Sequence, residues 1–506
     1  MAVVNIINKN IKFDVKENTL LSDAIREGIN IETPCEGKGV CGKCKVKVKG
    51  ELSPVLESEK RFIKEGERLA CMARITGDVE VEVTYSLKDI KSIDSGYRRK
   101  YSVGDNIGKR YGVAIDLGTT GVSGYLVDYS IGDVIEKYST VNRQVEYGAD
   151  VLSRAEFQIS REDGGKLLQK KVVETINFVL DKLSNSDPYI LNNINGIYIA
   201  GNTIMLHLLA GKSVESLVKA PYESVFLDTY KINSNTISIK VNSDVILLPS
   251  ISSYVGADIT AGMFACNFEN RNNSIYIDIG TNGEIGINSS GEIYTTATAA
   301  GPALEGSNIE CGMRAEDGAI DGFKIEGDNI VISTINNSPA CGICGSGIID
   351  IIAEFIKHKI ILKTGKINKD NAEKYFKVED KKIYITNGIY ISQEDIRAFQ
   401  LAKGAIISGI NTLCRRVKLE EVKEFLVGGS FGYHLNEESL RRVGIVPGKF
   451  NGSVKFVGNS SLEGAFISSI NEEYIQEMRN LSKKAKSINL SLDSEFQSEF
   501  INNLRF

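Results

Sequence analysis

The chain has 506 residues, too many for one hydrophobic core, so two or three domains are expected. Its 42% apolar and 25% charged residues exclude a disordered or fibrous chain. With 60 basic against 65 acidic side chains the net charge is -5, which argues against nucleic acid as a partner.

No run approaches the about 18 apolar residues of a membrane-spanning helix, so no membrane partner is expected. The opening MAVVNIINKNIKFDV has neither a basic leader nor a long apolar stretch. The chain is therefore read as unsecreted and cytoplasmic. Nine cysteines in such a chain suggest metal or redox chemistry rather than a disulfide scaffold.

Residues 1–85 read as a small α+β domain of the β-grasp kind. Strand patterns at 3–7 and 11–15 flank the turn-forming Asn8-Lys9-Asn10. Thr19 opens an amphipathic helix to Arg26, and Gly28 is a stop signal. A Gly- and Cys-rich loop follows, and then half-exposed strands at 45–50 and 79–83. Within it Cys35, Cys41, Cys44 and Cys71 have the spacing C-x5-C-x2-C-x26-C. A [2Fe-2S] cluster needs four thiolates, three commonly from one loop and one from a distant strand. Gly37, Gly39 and Gly42 would let that loop turn its N–H groups inward. Zinc is the poorer alternative because it favours two short ligand pairs, and only Cys41 and Cys44 form one. PCEGKGVCGKCKV and RLAC closely resemble the plant- and vertebrate-type ferredoxins, whose fold is the β-grasp. The x5 spacing is similar to the vertebrate or bacterial hydroxylase-type branch.

Residues 86–111 carry seven basic and three acidic side chains and little periodicity, so a basic flexible linker is expected there. From residue 112 onward, glycine-punctuated apolar strands alternate with helical stretches, the mark of α/β architecture. GVAIDLGTTG at 112–121 and SIYIDIGTNG at 274–283 repeat one pattern, which implies a duplicated domain with lobe I from about 112 and lobe II from about 272. Each repeat ends an apolar strand in Asp-x-Gly-Thr. The glycine permits close approach, the N–H groups bind phosphate oxygens, and the carboxylate can hold hydrated Mg²⁺. A third glycine strand, EFLVGGSFG at 424–432, suits a backbone passing against adenosine.

These motifs resemble the superfamily of acetate and sugar kinases, heat-shock ATPases and actin. The closer resemblance is to the ATP-dependent reductive activators of corrinoid proteins, which join an iron–sulfur domain to this ATPase. It rests on GNTIMLHLLAG at 201–211, AGPALEGSNIECGMRA at 300–315, CGSGIIDIIAE at 344–354, GGSFGYHLNEESLRRVGIVP at 428–447 and VGNSSLEGA at 457–465. The resemblance implies ATP-driven reduction of Co(II) to Co(I) on a corrinoid protein serving a methyltransferase, with electrons from a low-potential donor. Asp116 and Asp278 would organise Mg²⁺ and the attacking water. Gly118, Thr119, Thr120, Gly280, Thr281 and Asn282 would bind phosphates, and Gly428, Gly429 and Ser430 would face adenosine.

Two departures from the larger members stand out. They insert a middle domain between ferredoxin and ATPase where only about 25 residues separate the two here, so a missing middle domain is expected. In addition, 470–506 contain no cysteine. The N-terminal cluster is then the one expected redox centre. An ATP-gated donor to another low-potential enzyme and a small-molecule kinase with a redox-sensing ferredoxin domain are the alternatives. Cys341 and Cys344 read as a turn opening a helix, and His207 as a core residue.

Overall fold

The computed structural model describes residues 1–506 apart from 27–30, 32–38, 40, 41, 43, 61, 84–95, 107, 387, 430–434, 449 and 491–492. The expected sites Cys35, Cys41 and Ser430, with Gly28 and Gly37, lie outside the described residues.

The N-terminal domain is a five-stranded mixed sheet. Strand Ala2–Ile6 pairs antiparallel with Ile11–Val15 on one side and parallel with Ile75–Glu82 on the other. Asn10 closes the first hairpin with φ 54°, a left-handed conformation that asparagine tolerates. The helix runs Leu21–Arg26, two residues shorter than expected, and buries Leu21, Ala24 and Ile25 on the sheet. Lys45 and Lys47 face solvent and pair with Glu67 and Glu82, which fits a charged strand face.

The remainder forms two lobes built on one plan. In lobe I the strand Tyr111–Leu117 has the hairpin Gly121–Asp128 and Asp133–Val141 antiparallel on one side and Ile194–Gly201 parallel on the other. In lobe II Ser274–Ile279 is flanked in the same way by Gly283–Ser289 and Glu292–Thr298, and by Glu424–Gly428. The sequence repeat is thus a repeat of topology. Both Asp-x-Gly-Thr strands are central and apolar on both faces, as strands covered by helices on each side must be.

Two helices, Ala257–Ala265 and Ser460–Ile470, cross between the lobes. A Cβ on Gly464 would lie 2.2 Å from the Ala261 carbonyl, so the crossing is as close as backbones allow. Phe466 and Ile467 of the second helix join the lobe I core although the preceding strand, Ser453–Gly458, belongs to the lobe II sheet.

The linker expectation needs correction over its described second half. The described residues 96–106 and 108–110 run as a strap along the ATPase. Tyr97, Arg99 and Gly104 donate backbone hydrogen bonds to the carbonyls of Val457, Ala265 and Ile470 at 2.8–3.0 Å. Arg98 pairs with the fully buried Glu463 and lies 4.3 Å from the Phe466 ring centroid. Arg99 stacks on Phe264 and pairs with Glu477. Arg98, Arg99 and Lys109, read as solvated linker, are anchors with acidic or aromatic partners remote in sequence. Arg98→Ala should cost about 2–4 kcal/mol of ATPase-domain stability in denaturant titrations, because it leaves the buried Glu463 carboxylate without its cation, held only by the Tyr125 hydroxyl and Gly96 N–H. A loss below about 0.5 kcal/mol, the size of a surface substitution, would mean that the strap is not anchored there.

Candidate functional site

The two phosphate-type loops meet where the duplicated strands end. Thr120 Oγ1 and Thr281 Oγ1 are 3.5 Å apart across the cleft. Gly429, at φ 127°, would place a Cβ 2.4 Å from the Ile279 carbonyl, so only glycine lets the third strand pass there. Gly428 lies directly opposite Asp278 in the sheet, and Ala200 opposite Asp116. Of the expected nucleotide residues, the structure thus brings Asp116, the 118–120 loop, Asp278, the 280–282 loop and Gly428-Gly429 to one place.

Asp116 is held by Asn459 Nδ2 at 2.8 Å and Ser461 Oγ at 3.0 Å, both donating from the start of the crossing helix Ser460–Ile470. Tyr276 reaches Ser460 at 2.9 Å and donates to Asp278 at 3.4 Å. The other crossing helix contributes Asp258 from its first turn. Thr281 donates to Glu305 Oε2 at 2.8 Å, which gives the AGPALEGSNIECGMRA segment a structural role: its turn carries a carboxylate to the second phosphate loop. Glu284 is buried opposite Asp278 on the neighbouring strand.

Enclosure lifts every one of the central carboxyls. It raises Asp116 above the usual carboxylate range, against the opposing pull of Asn459 and Ser461. Asp258 is pushed up to about 7 by enclosure and then by the charge of Asp116. Asp278 is pushed up to about 8 by enclosure, then by Asp258 and Asp116. Glu284 is raised well above its ordinary value by burial and by Asp258 and Asp278. Such a set, gathered with no cation among the described residues beside it, suits a hydrated divalent ion. Among the described residues no three acidic, His or Cys side chains form a ready metal cage. Mg²⁺ fits that arrangement, because it keeps its waters and takes one or two carboxylates plus phosphate oxygens.

Beneath the first phosphate loop lies a network that the motifs did not reveal. The fully buried Arg154 donates to the Thr119 carbonyl at 2.5 Å, to Gly148 O at 3.0 Å and to Gln144 Oε1 at 3.3 Å. Burial lowers its pKa to about 9. Asn142 Nδ2 donates to Gly118 O and its backbone N–H to Thr120 O, both at 2.9 Å.

In the N-terminal domain Cys44 and Cys71 are buried side by side in chain path, with Ala70 N–H donating to the Cys44 carbonyl at 3.0 Å. Gly39 and Gly42 have φ 68° and 70°, and a Cβ on either would strike Met72 or Phe62 within 2.7 Å. The two buried thiols, with glycine at these two close approaches, fit an iron–sulfur cluster. Glu59 braces the strand leading to Cys71 by accepting from Arg68 Nε at 3.0 Å and Leu69 N at 3.1 Å. Elsewhere Cys344 caps the helix Gly345–Lys357 and donates to Ile320 O at 3.2 Å. His207 is buried, stacked on Phe226 and bonded to Thr203 O at 2.7 Å, as a core residue would be.

Comparison with known proteins agrees with this layout. Residues 4–76 match the 2Fe-2S iron-sulfur cluster binding domain, 111–271 the RACo middle region, and 272–506 the C-terminal domain of RACo, the ASKHA domain. The middle-region match coincides with lobe I, which corrects the expectation of a missing middle domain: a segment of that description is present as part of the two-lobed fold. The chain is similar to the corrinoid activation enzyme RamQ of Eubacterium limosum, 26% identical over 98% of this chain and 97% of that one. It is also similar to the [Co(II) methylated amine-specific corrinoid protein] reductase of Methanosarcina barkeri, 27% identical over 78% of this chain and 75% of that one. A solved structure titled reductive activator for corrinoid,iron-sulfur protein aligns with TM-score 0.72 at 26% identity, covering 100% of this chain and 98% of that one.

The raised carboxyls set a pH dependence. Unfolded aspartates titrate near 3.9, whereas folded Asp258 and Asp278 titrate at about 7 and about 8. Their contribution to stability is therefore complete below about pH 4 and is lost as pH rises to about 8. Asp278→Asn should raise the stability of the nucleotide-free protein at pH 8.5, by on the order of 2 kcal/mol, and change it little at pH 5. Scanning calorimetry at the two pH values reads this. Equal effects at both would contradict the electrostatic account.

Proposed function

The chain belongs to the family of ATP-dependent reductive activators of corrinoid proteins, and from that premise we propose that it uses ATP hydrolysis to drive one-electron reduction of Co(II) to Co(I) on a corrinoid protein of a methyltransferase system. The observation that carries this reading is the joining, in one chain, of a buried-thiol ferredoxin fold to a cleft whose two phosphate loops touch at 3.5 Å. When bound, a [2Fe-2S] cluster supplies a one-electron carrier, refilled by a low-potential donor.

Cys35, Cys41, Cys44 and Cys71 would hold that cluster. In the ATPase, Gly118, Thr119, Thr120, Gly280, Thr281 and Asn282 would present N–H and hydroxyl donors to the phosphates. Asp116 and Asp258 would hold hydrated Mg²⁺ through its waters, and their pairing with a cation would restore the anionic forms that enclosure disfavours. Asp278, supported by Tyr276, would orient the water that attacks the terminal phosphate, with Glu284 behind it.

Gly428, Gly429 and Ser430 would admit the nucleoside. The chain leaving them reaches the helix Glu437–Val443, which with Gly345–Lys357 lines a pocket of about 220 Å³. Asp350, Glu354, Lys357, Ser439 and Arg442 face it, and Glu354 pairs with Lys357 at 3.1 Å and with Arg442 at 3.6 Å. A polar pocket of that kind suits a ribose and base edge.

Asp116→Ala and Asp278→Ala should each lower ATP turnover by at least about a hundredfold, the size of a lost catalytic group. Both should leave the visible and paramagnetic spectra of the cluster unchanged. With wild-type protein, a low-potential reductant and a Co(II) corrinoid protein, omitting ATP should leave little Co(I). Equal Co(I) with and without ATP would overturn the reading.

A further inference from the structure

The described part of the ferredoxin domain meets lobe I through Arg26, the last residue of the helix Leu21–Arg26. Its Nη2 donates to the Glu146 main-chain carbonyl at 3.3 Å, and its Nε lies 4.0 Å from Glu146 Oε2. The Glu146 side chain is 1% exposed and also pairs with Lys171 at 2.9 Å. A buried carboxylate shared between a cation of its own lobe and one of another domain is a defined docking point rather than a chance surface contact.

Both sides of this contact lead inward. On the ferredoxin side, Leu21 N and Ser22 N donate to Ala73 O and Ala70 O at 2.8 and 2.9 Å, so the helix is tied to the two residues around Cys71 and Met72. On the ATPase side, Glu146 ends the short turn Arg143–Glu146, which Asn142 caps by accepting from Gln144 N at 3.0 Å. The same Asn142 donates to Gly118 O from its side chain and to Thr120 O from its backbone N–H, and Arg154 donates to the carbonyl of Thr119 between them. Arg154 and Asn142 both donate to Gln144 Oε1, at 3.3 and 3.2 Å. The first phosphate loop cannot move its carbonyls without moving Asn142, Gln144 and the turn that ends in Glu146.

We propose that Arg26 is a positioning residue: its contact with Glu146 makes the docking of the ferredoxin domain depend on what occupies the first phosphate loop. The inference rests on the reductive-activator reading for its purpose, and on hydrogen-bond connectivity alone for its existence. Phosphate bound at 118–120 changes the set of the loop, Asn142 and Arg154 pass that change to the 143–146 turn, and the Arg26 contact tightens or releases. The cluster-bearing domain is thereby presented in one nucleotide state and withdrawn in the other.

The test uses the full-length, cluster-loaded protein. Amide hydrogen exchange is followed with and without a non-hydrolysable Mg·ATP analogue. In the wild type, exchange in 142–154 and in 21–26 should both respond. In Arg26→Ala only 142–154 should respond, and Arg26→Lys should restore part of the response in 21–26. In parallel, Arg26→Ala should lower the ATP stimulation of Co(II) reduction roughly two- to fivefold, the size of a pair worth about 1 kcal/mol or less. Partner-free ATP turnover and the cluster spectrum should be unchanged. A wild-type protein in which 21–26 ignores nucleotide, or an Arg26→Ala protein with full ATP stimulation, overturns the proposal. If the wild type reduces no corrinoid with ATP, the functional reading fails while the exchange comparison still decides the contact.

Discussion

Much of the ATPase is arranged around one electrostatic constraint: several carboxylates occupy an enclosed space with no cation among the described residues beside them. Asp116, Asp258, Asp278 and Glu284 each lose hydration there, and the charges of the others add to the cost. Duplicated strands bring two of them to the cleft, and a close helix crossing brings the third. The Gly464 contact with Ala261 is what permits the crossing, and so permits Asn459, Ser461 and Asp258 to reach one point. A fold that gathers like charges at this cost is poised to bind a hydrated divalent cation, and binding energy is then available for closing the lobes.

The repeat of Asp-x-Gly-Thr was legible because phosphate binding demands it in a short stretch of chain: strand, carboxylate, glycine, hydroxyl. The same holds for the β-grasp domain, where thiolate spacing and strand alternation agree. Asp258 was not legible by motif. Its one signal is a lone carboxylate in the first turn of ADITAGMFA, a helix otherwise apolar on all sides, where a charge has no solvent face to occupy. Arg154 had no signal at all, because an arginine in an amphipathic helix is usually solvated and only tertiary packing buries it. The strap at 96–110 was misread for a related reason. Its partners Glu463, Phe466, Phe264 and Glu477 are more than 160 residues away, and an extended segment carries no periodicity to betray burial.

That strap changes how the domains must work together. A flexible tether of about 25 residues would leave the ferredoxin domain a typical reach of roughly 25–30 Å. With 96–110 laid along the ATPase, fewer residues remain to span the distance to the domain that begins at Met1. A shorter tether raises effective concentration and narrows the set of orientations, so docking contacts count for more.

The energetics assign such contacts a limited part. For one electron, about 59 mV is a tenfold change in equilibrium, so roughly 100 mV corresponds to about 2.3 kcal/mol. Clusters of the plant ferredoxin type lie near about -400 mV. If Co(II) requires a potential even 100 mV lower, a single ion pair at a domain boundary, worth about 1 kcal/mol or less when partly exposed, cannot supply the difference. What it can do is move a population between docked and undocked by a few-fold. The thermodynamic drive has to come from elsewhere, and a ligand shifts an equilibrium only by its difference in affinity for two states. A cleft in which enclosure lifts the carboxyls, and one in which a metal–nucleotide complex keeps them charged, would be two such states. Only if the corrinoid protein binds those two states unequally can ATP push the electron uphill, and Arg26 then governs when the cluster is presented rather than how strongly it reduces.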